Sequence, residues 1–326
     1  MKVITVFVFL FVGTMLILGI GGTSPGFENW TRGEAPFVGG FASIMAIFMV
    51  AGFSFQGTEL IGVAAGESED PEKNIPKAIH SIFWRILLFY IGAFVVIGFL
   101  IPYDDPNLLN SSVENVAISP FTLVLDRFGF AFAASFINAI ILTAVLSAGN
   151  SGLYASTRML YAMAKEGDAP KVFTKLNFRG VPVPALLATA AFGVFAFLTS
   201  LIGEGTAYNW LINISGMSGF IAWLGIAIAH YRFRRAFHAQ GKSLDAIPFK
   251  ALFYPFGPIF ATVLCLIIIA GQNYTAFTGE TIDWYGASVA YIGIPVFLLV
   301  YAAYKSKYKT HVIPLKEVNL DRDYEK

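Results

Sequence analysis

One carboxylate in this chain lies where hydrocarbon is expected. Glu59 is the only acidic residue inside a long apolar run, Phe37 to Ala65. A charged side chain at the middle of a bilayer costs about 2.5–3.5 kcal/mol on insertion scales, so such residues usually line a cavity or a proton path. A carboxyl group in a low-dielectric cavity can take up and release a proton, which is the chemistry of a coupled transporter. Counted differently, a span of about 20 residues starting at Phe37 ends before Glu59 and leaves it at the inner interface. The flanking residues favour the cavity. The stretch reads AGFSFQGTELIGVAAGESEDPEKNIP, with Gly52, Gly57 and Gly62 interrupting the helix and Ser54, Gln56 and Thr58 between them. A glycine-broken, polar-dotted span is the sequence signature of a transporter's midplane site. Glycines for close helix packing would explain Gly52, Gly57 and Gly62. They would not explain Gln56 together with Glu59.

Two other polar clusters sit in apolar runs. Ser147, Asn150 and Ser151 are flanked by Gly149 and Gly152, and Asn213, Ser215 and Ser218 fall in a later run. Each reads either as part of a binding site or as hydrogen bonding between helices. Lys2 stands immediately before the first apolar run and reads on its own as a basic interfacial anchor. Other chemistries find little support. The four histidines, His80, His230, His238 and His311, include no i, i+4 pair. There is no HExxH, no Walker A loop and no GxSxG elbow. The single cysteine, Cys265, excludes an intramolecular disulfide and reads as a small packing residue. No enzyme, metal site or cofactor is expected, and a net charge of +1 offers no nucleic-acid footprint.

The elements that must position these residues are membrane helices. Charged residues make up only 13% of the chain and hydrophobic residues 56%, about half the usual share of charge in a soluble chain. Eight apolar runs approach the ~20 residues needed to cross ~30 Å of hydrocarbon. They are Val3 to Gly22, Phe37 to Ala65, Ile79 to Ile101, Phe128 to Leu153, Ala185 to Ile202, Asn209 to Tyr231, Phe253 to Gly271 and Trp284 to Tyr304. With Met1 in the cytoplasm and the runs alternating, 20 of 22 basic residues fall inside and only Arg32 and Arg127 outside. Acidic residues split almost evenly, so one sign of charge is sorted and the other is not, as the positive-inside rule requires. Both chain ends are therefore expected in the cytoplasm and the lipid bilayer as solvent. The apolar core of the first run is too long for a signal peptide. Because Lys2 abuts that run with no polar leader, the chain is expected to begin inside a longer protein. The connecting loops leave no room for a soluble domain, so residues 1–326 read as one transmembrane domain.

Several of these segments carry a family resemblance. GFSFQGTELIGVAAGESEDPEKNIPKAI resembles the helix-6 region of amino-acid permeases of the amino acid–polyamine–organocation superfamily. LTAVLSAGNSGLYASTRMLYAMAKEGDAPKVF is similar to helix 8 and the loop after it. SGMSGFIAWLGIAIAHYRFRRAF is similar to helix 10, and GPIFATVLCLIIIAGQNYTAF to helix 11. Four motifs in order make the resemblance specific, and it covers nearly the whole chain. It implies an all-α membrane fold of twelve helices, two inverted five-helix repeats plus two, of which the eight runs are helices 5 to 12. Helices 1 to 4 have no counterpart here. In the family, broken helix 1 supplies half of the substrate site, so the chain is expected to be a fragment that does not transport alone. Position by position, the resemblance implies that Phe53 caps the substrate and that Ser54, Phe55, Gln56 and Gly57 form the unwound stretch. It implies that Glu59 serves proton coupling or binds a cationic side chain. It places Asn150, Ser151 and Ser215 near the site, and Lys2 where a lysine replaces a sodium ion. The activity implied is proton-coupled uptake of lysine or another cationic amino acid across the bacterial inner membrane. The alternatives are a permease for another class of amino acid, a non-transporting sensor or scaffold, and a channel, for which one intramembrane carboxylate is meagre support.

Overall fold

The computed structural model describes residues 2–21, 24–40, 43–44, 47, 51–52, 54–64, 68, 70–109, 119–127, 129, 132–198, 204–244, 247, 250–251, 253–278 and 280–320. Among them the regular structure is helical, with no strand. The chain divides into two compact units, one of Met1–Gly39 and Gly57–Phe197, the other of Gly40–Gln56 and Leu198–Lys326.

The first unit contains α1 (Lys2–Ile17), α2 (Leu60–Ala64), α3 (Pro71–Leu100), α4 (Pro120–Arg127), α5 (Ala133–Glu166) and α6 (Val183–Ala191). Its core forms where α1 lies against α3 and α4, burying Phe9, Ala93, Val96, Leu100 and Val124. Phe9 stacks at a tilt on Phe121, 4.7 Å between ring centres. Gly13 lets α1 and α3 approach closely, because a methyl group there would overlap Val96. Helix α3 widens into a π turn over Ile86–Ile91, a feature with no glycine or proline to signal it in the sequence. Helix α5 runs for 34 residues and stops at Gly167, whose φ of +89° is left-handed. The Gly167 N–H donates to the Ala164 carbonyl at 3.3 Å and the Asp168 N–H to the Met163 carbonyl at 2.8 Å, the paired bonds that close a Schellman end. Pro182 and Pro184 then open α6, as their sequence position predicts. Thr157 of α5 and Thr189 of α6 hydrogen-bond at 3.0 Å.

The second unit contains α7 (Glu204–Ala239), α8 (Phe256–Gly271), α9 (Trp284–Tyr291) and α10 (Gly293–Tyr308). Helix α7 is its spine and packs against the other three, burying Met217, Phe220 and Ala227. Asp283 caps α9 by accepting the Gly286 N–H at 2.9 Å. The tail after α10 is tied to the basic end of α7. There Arg232 donates to the Ile313 carbonyl at 2.7 Å, and Gln240 to the Val318 carbonyl at 2.8 Å.

Three of the eight apolar runs form single helices long enough to cross a membrane, within α3, α5 and α7. The last run is bent by 47° between α9 and α10. Pro295, two residues into α10, has no N–H to give and crowds the carbonyl four residues before it. The first, fifth and seventh runs appear as shorter apolar helices; α8, with 16 residues, rises only about 24 Å. The second run is broken near Glu59, and much of its first half lies outside the described residues. Only 11% of the apolar window of α3 and 6% of that of α5 is buried within the protein. Outward rows of Phe, Leu and Val at that density require an apolar solvent, so this is a multi-pass membrane protein.

Candidate functional site

The break in the second run is built from local hydrogen bonding. Ala51 and Gly52 are helical, and the N–H groups of Ser54 and Phe55 reach back three residues to their carbonyls, at 3.1 and 3.0 Å. The helix does not continue. Gly57 adopts φ +98°, a conformation that L side chains rarely tolerate. Its N–H donates to both carboxylate oxygens of Glu59, at 3.1 and 3.0 Å. Glu59, half-buried, folds back on its own turn, and α2 begins at the next residue. A charge-assisted bond of this kind holds an exposed backbone donor that a continuous helix would have satisfied.

Within the first unit, Leu60 at the start of α2 joins α5 and the approach to α6 around a cleft of about 490 Å³. Asn150 and Ser151 both line it, with Tyr154, Thr157, Arg158 and Pro182. The Ser151 hydroxyl donates to the Ser147 carbonyl at 3.0 Å, so that its lone pairs remain for an incoming donor. The Arg158 guanidinium sits 5.7 Å from the centre of the Tyr154 ring. The cleft is large enough for an amino acid and offers an amide, hydroxyls and one cation along mostly apolar walls.

In the second unit the same broken segment meets α7. The Gln56 amide nitrogen donates to the Gly216 carbonyl at 2.8 Å. Ser215, one residue earlier, is exposed, and the Ser218 hydroxyl donates to the Ile214 carbonyl at 2.8 Å. The expected site residues thus fall into two sets: Gly57, Glu59, Asn150 and Ser151 in one unit, and Ser54, Phe55, Gln56 and Ser215 in the other. Phe53 and the side chain of Lys2 lie outside the described residues. Sequence reasoning missed Tyr154 and Arg158. The signal was present, since Asn150, Tyr154 and Arg158 recur every four residues along one helix face. Among the described residues, no group of His, Cys, Asp or Glu could hold a metal ion.

A model of the amino acid permease family matches residues 1–316. The chain is 55% identical over 327 residues to the lysine-specific permease LysP of Escherichia coli (strain K12), covering 100% of this chain and 67% of that protein. It is 49% identical to the lysine-specific permease LysP of Lactococcus lactis subsp. cremoris (strain MG1363), covering 98% of this chain and 64% of the relative. It is 48% identical to the histidine permease HisP of the same Lactococcus strain, covering 99% and 67%. The chain therefore spans about two thirds of the length of these curated relatives.

Proposed function

We propose that this chain, which belongs to the amino acid permease family, forms part of a secondary active transporter that takes up lysine or another cationic amino acid together with protons. Residues 1–326 act as one permease domain in the inner membrane of a bacterium, with both chain ends in the cytoplasm. The reaction is alternating access, with no covalent step. The observation that carries the reading is the broken helix at Gly57, with the Glu59 carboxylate folded onto its N–H. That arrangement sets exposed backbone groups and a titratable acid side by side, the combination a coupled transporter needs. Phe53, Ser54, Phe55, Gln56 and Gly57 contribute the unwound wall of the substrate path, and Asn150, Ser151 and Ser215 add polar contacts. Glu59 carries the coupling proton or meets the cationic side chain, and Lys2 supplies a fixed positive charge. The two lysine permeases, at 55% and 49% identity, support lysine as substrate.

A second reading, histidine as substrate, is favoured by one observation. The histidine permease is 48% identical, scarcely below the second lysine permease. Uptake of radiolabelled lysine by cells lacking their own cationic amino-acid uptake, and expressing the complete gene, separates the two. Saturable lysine uptake that excess histidine does not displace supports the proposal. Histidine uptake with no lysine uptake replaces it, and no amino-acid uptake at all removes it.

A further inference from the structure

Gln56 lies in the stretch assigned to the substrate path, yet its amide is already engaged. Besides donating to the Gly216 carbonyl at 2.8 Å, it lies directly over Gly219. A methyl group built on Gly219 would overlap both the Gln56 amide nitrogen and its amide carbon. Gly216 and Gly219 lie three residues apart on α7, so they present a bare patch of backbone on one helix face. Three residues before the chain reaches Phe55, Gly52 makes a second close approach. A methyl group there would overlap the ring of Phe220, a residue only 1% exposed. Gly52 and Gln56 are therefore seated on α7 at two points, one apolar and rigid, the other a single hydrogen bond made by a flexible side chain.

We propose that Gln56 is a positioning residue, a latch on the Gly216–Gly219 face of α7 that fixes where the broken segment begins. A carbonyl inside a helix has a second lone pair beyond its helical bond, so the latch forms without disturbing α7. It can open and close with one side-chain rotation, whereas the Gly52–Phe220 contact cannot yield without moving a buried ring. The latch thus holds the start of the unwound stretch in one arrangement and sets how readily it leaves it. The same geometry assigns Gly219 its role. Any side chain there displaces the amide, and because the displaced group is the far end of a flexible side chain, the helix itself is not forced apart.

The inference draws on the transport reading for only one of its two measurements. The first measurement is the rate at which a methanethiosulfonate reagent labels the thiol introduced by Ser54→Cys, in protein whose native cysteines, Cys265 among them, are replaced by Ala. Gly219→Ala and Gln56→Met should each raise that rate at least fivefold. The double variant should be no faster than the quicker single one, since both open the same latch. Gln56→Glu keeps the size of the side chain. Relative to Gln56→Met at the same pH, which cancels the common loss of thiolate in acid, it should label equally fast near neutral pH, where a carboxylate cannot donate, and several-fold more slowly in acid, where the protonated group can. Unchanged labelling in the single variants, or effects that multiply in the double, overturn the proposal. The second measurement is lysine uptake by the same variants of the complete gene product. A latch lowers the maximal rate of Gly219→Ala and Gln56→Met alike, with KM within twofold. A KM that rises in Gln56→Met alone would make Gln56 a substrate contact and sink the latch. If uptake is absent from the unmutated protein as well, the labelling result still decides the matter.

Discussion

Replacing Glu59 by Gln weakens the local turn modestly and removes the titratable charge that the proposed coupling role requires. The turn at Gly57 rests on its N–H, which donates to the two Glu59 oxygens at 3.1 and 3.0 Å. Glutamine keeps one acceptor oxygen in reach. A hydrogen bond to a charged group contributes about 1.5–3 kcal/mol and a neutral one about 0.5–1.5 kcal/mol, so the turn loses roughly 1 kcal/mol. That weakening alone accounts for about a fivefold change in any equilibrium built on the turn. The amide cannot bind and release a proton, nor attract a cationic side chain. If Glu59 carries either task, lysine uptake should fall at least ~tenfold, equivalent to ~1.4 kcal/mol or more. The assay is the initial rate of radiolabelled lysine uptake, normalised to the amount of protein in the membrane. A loss confined to lysine and arginine would identify side-chain recognition. A loss for all substrates, with a flattened pH dependence, would identify proton coupling. Uptake within about twofold of the unmutated protein and an unchanged pH profile would leave Glu59 as no more than a cap for its own turn.

Three further outcomes follow from the packing and one from the charge pattern. Gly13→Ala forces a methyl into Val96 and should lower thermal stability in detergent by about 1–3 kcal/mol. Gly167→Ala places a side chain at φ +89° and should cost about 1–2 kcal/mol, with Gly167→Asn milder, as the same melting experiment would report. Asp283→Ala removes the acceptor of the Gly286 N–H and should destabilise α9 by about 1 kcal/mol, seen as faster amide exchange in its first turn. Cysteines placed at Asn110 and Lys242 should label from opposite sides of the membrane, as the distribution of 22 basic residues requires; labelling from one side overturns the topology.

The long helices were legible because apolar length and a glycine or proline end are local signals. Gly167, Pro182 and Pro184 mark the end of α5 and the start of α6 in the sequence as plainly as in the structure. The break at Gly57 was legible too, since glycines and Gln56 crowd an otherwise mostly apolar span. The bend between α9 and α10 was written in Pro295 but hidden by the uniform hydropathy of Trp284 to Tyr304. The π turn at Ile86–Ile91 was not legible at all, because nothing distinguishes those residues from their neighbours. At the candidate site, Asn150 and Ser151 were found as polar residues in an apolar run. Tyr154 and Arg158 lie just beyond the apolar run that ends at Leu153, so hydropathy alone gives no reason to place them in a cleft. The partner of Gln56 is Gly216, 160 residues away. No periodicity reports a contact at that separation, since a glycine carbonyl leaves no trace in hydropathy or charge.

Proton coupling is read directly from lysine accumulation by the purified complete gene product in liposomes, with a proton gradient imposed, acid outside. Lysine should concentrate inside against its own gradient, and the accumulation should collapse when a protonophore is added. Lysine that merely equilibrates, or that enters at the same rate with and without the gradient, would contradict proton-coupled transport.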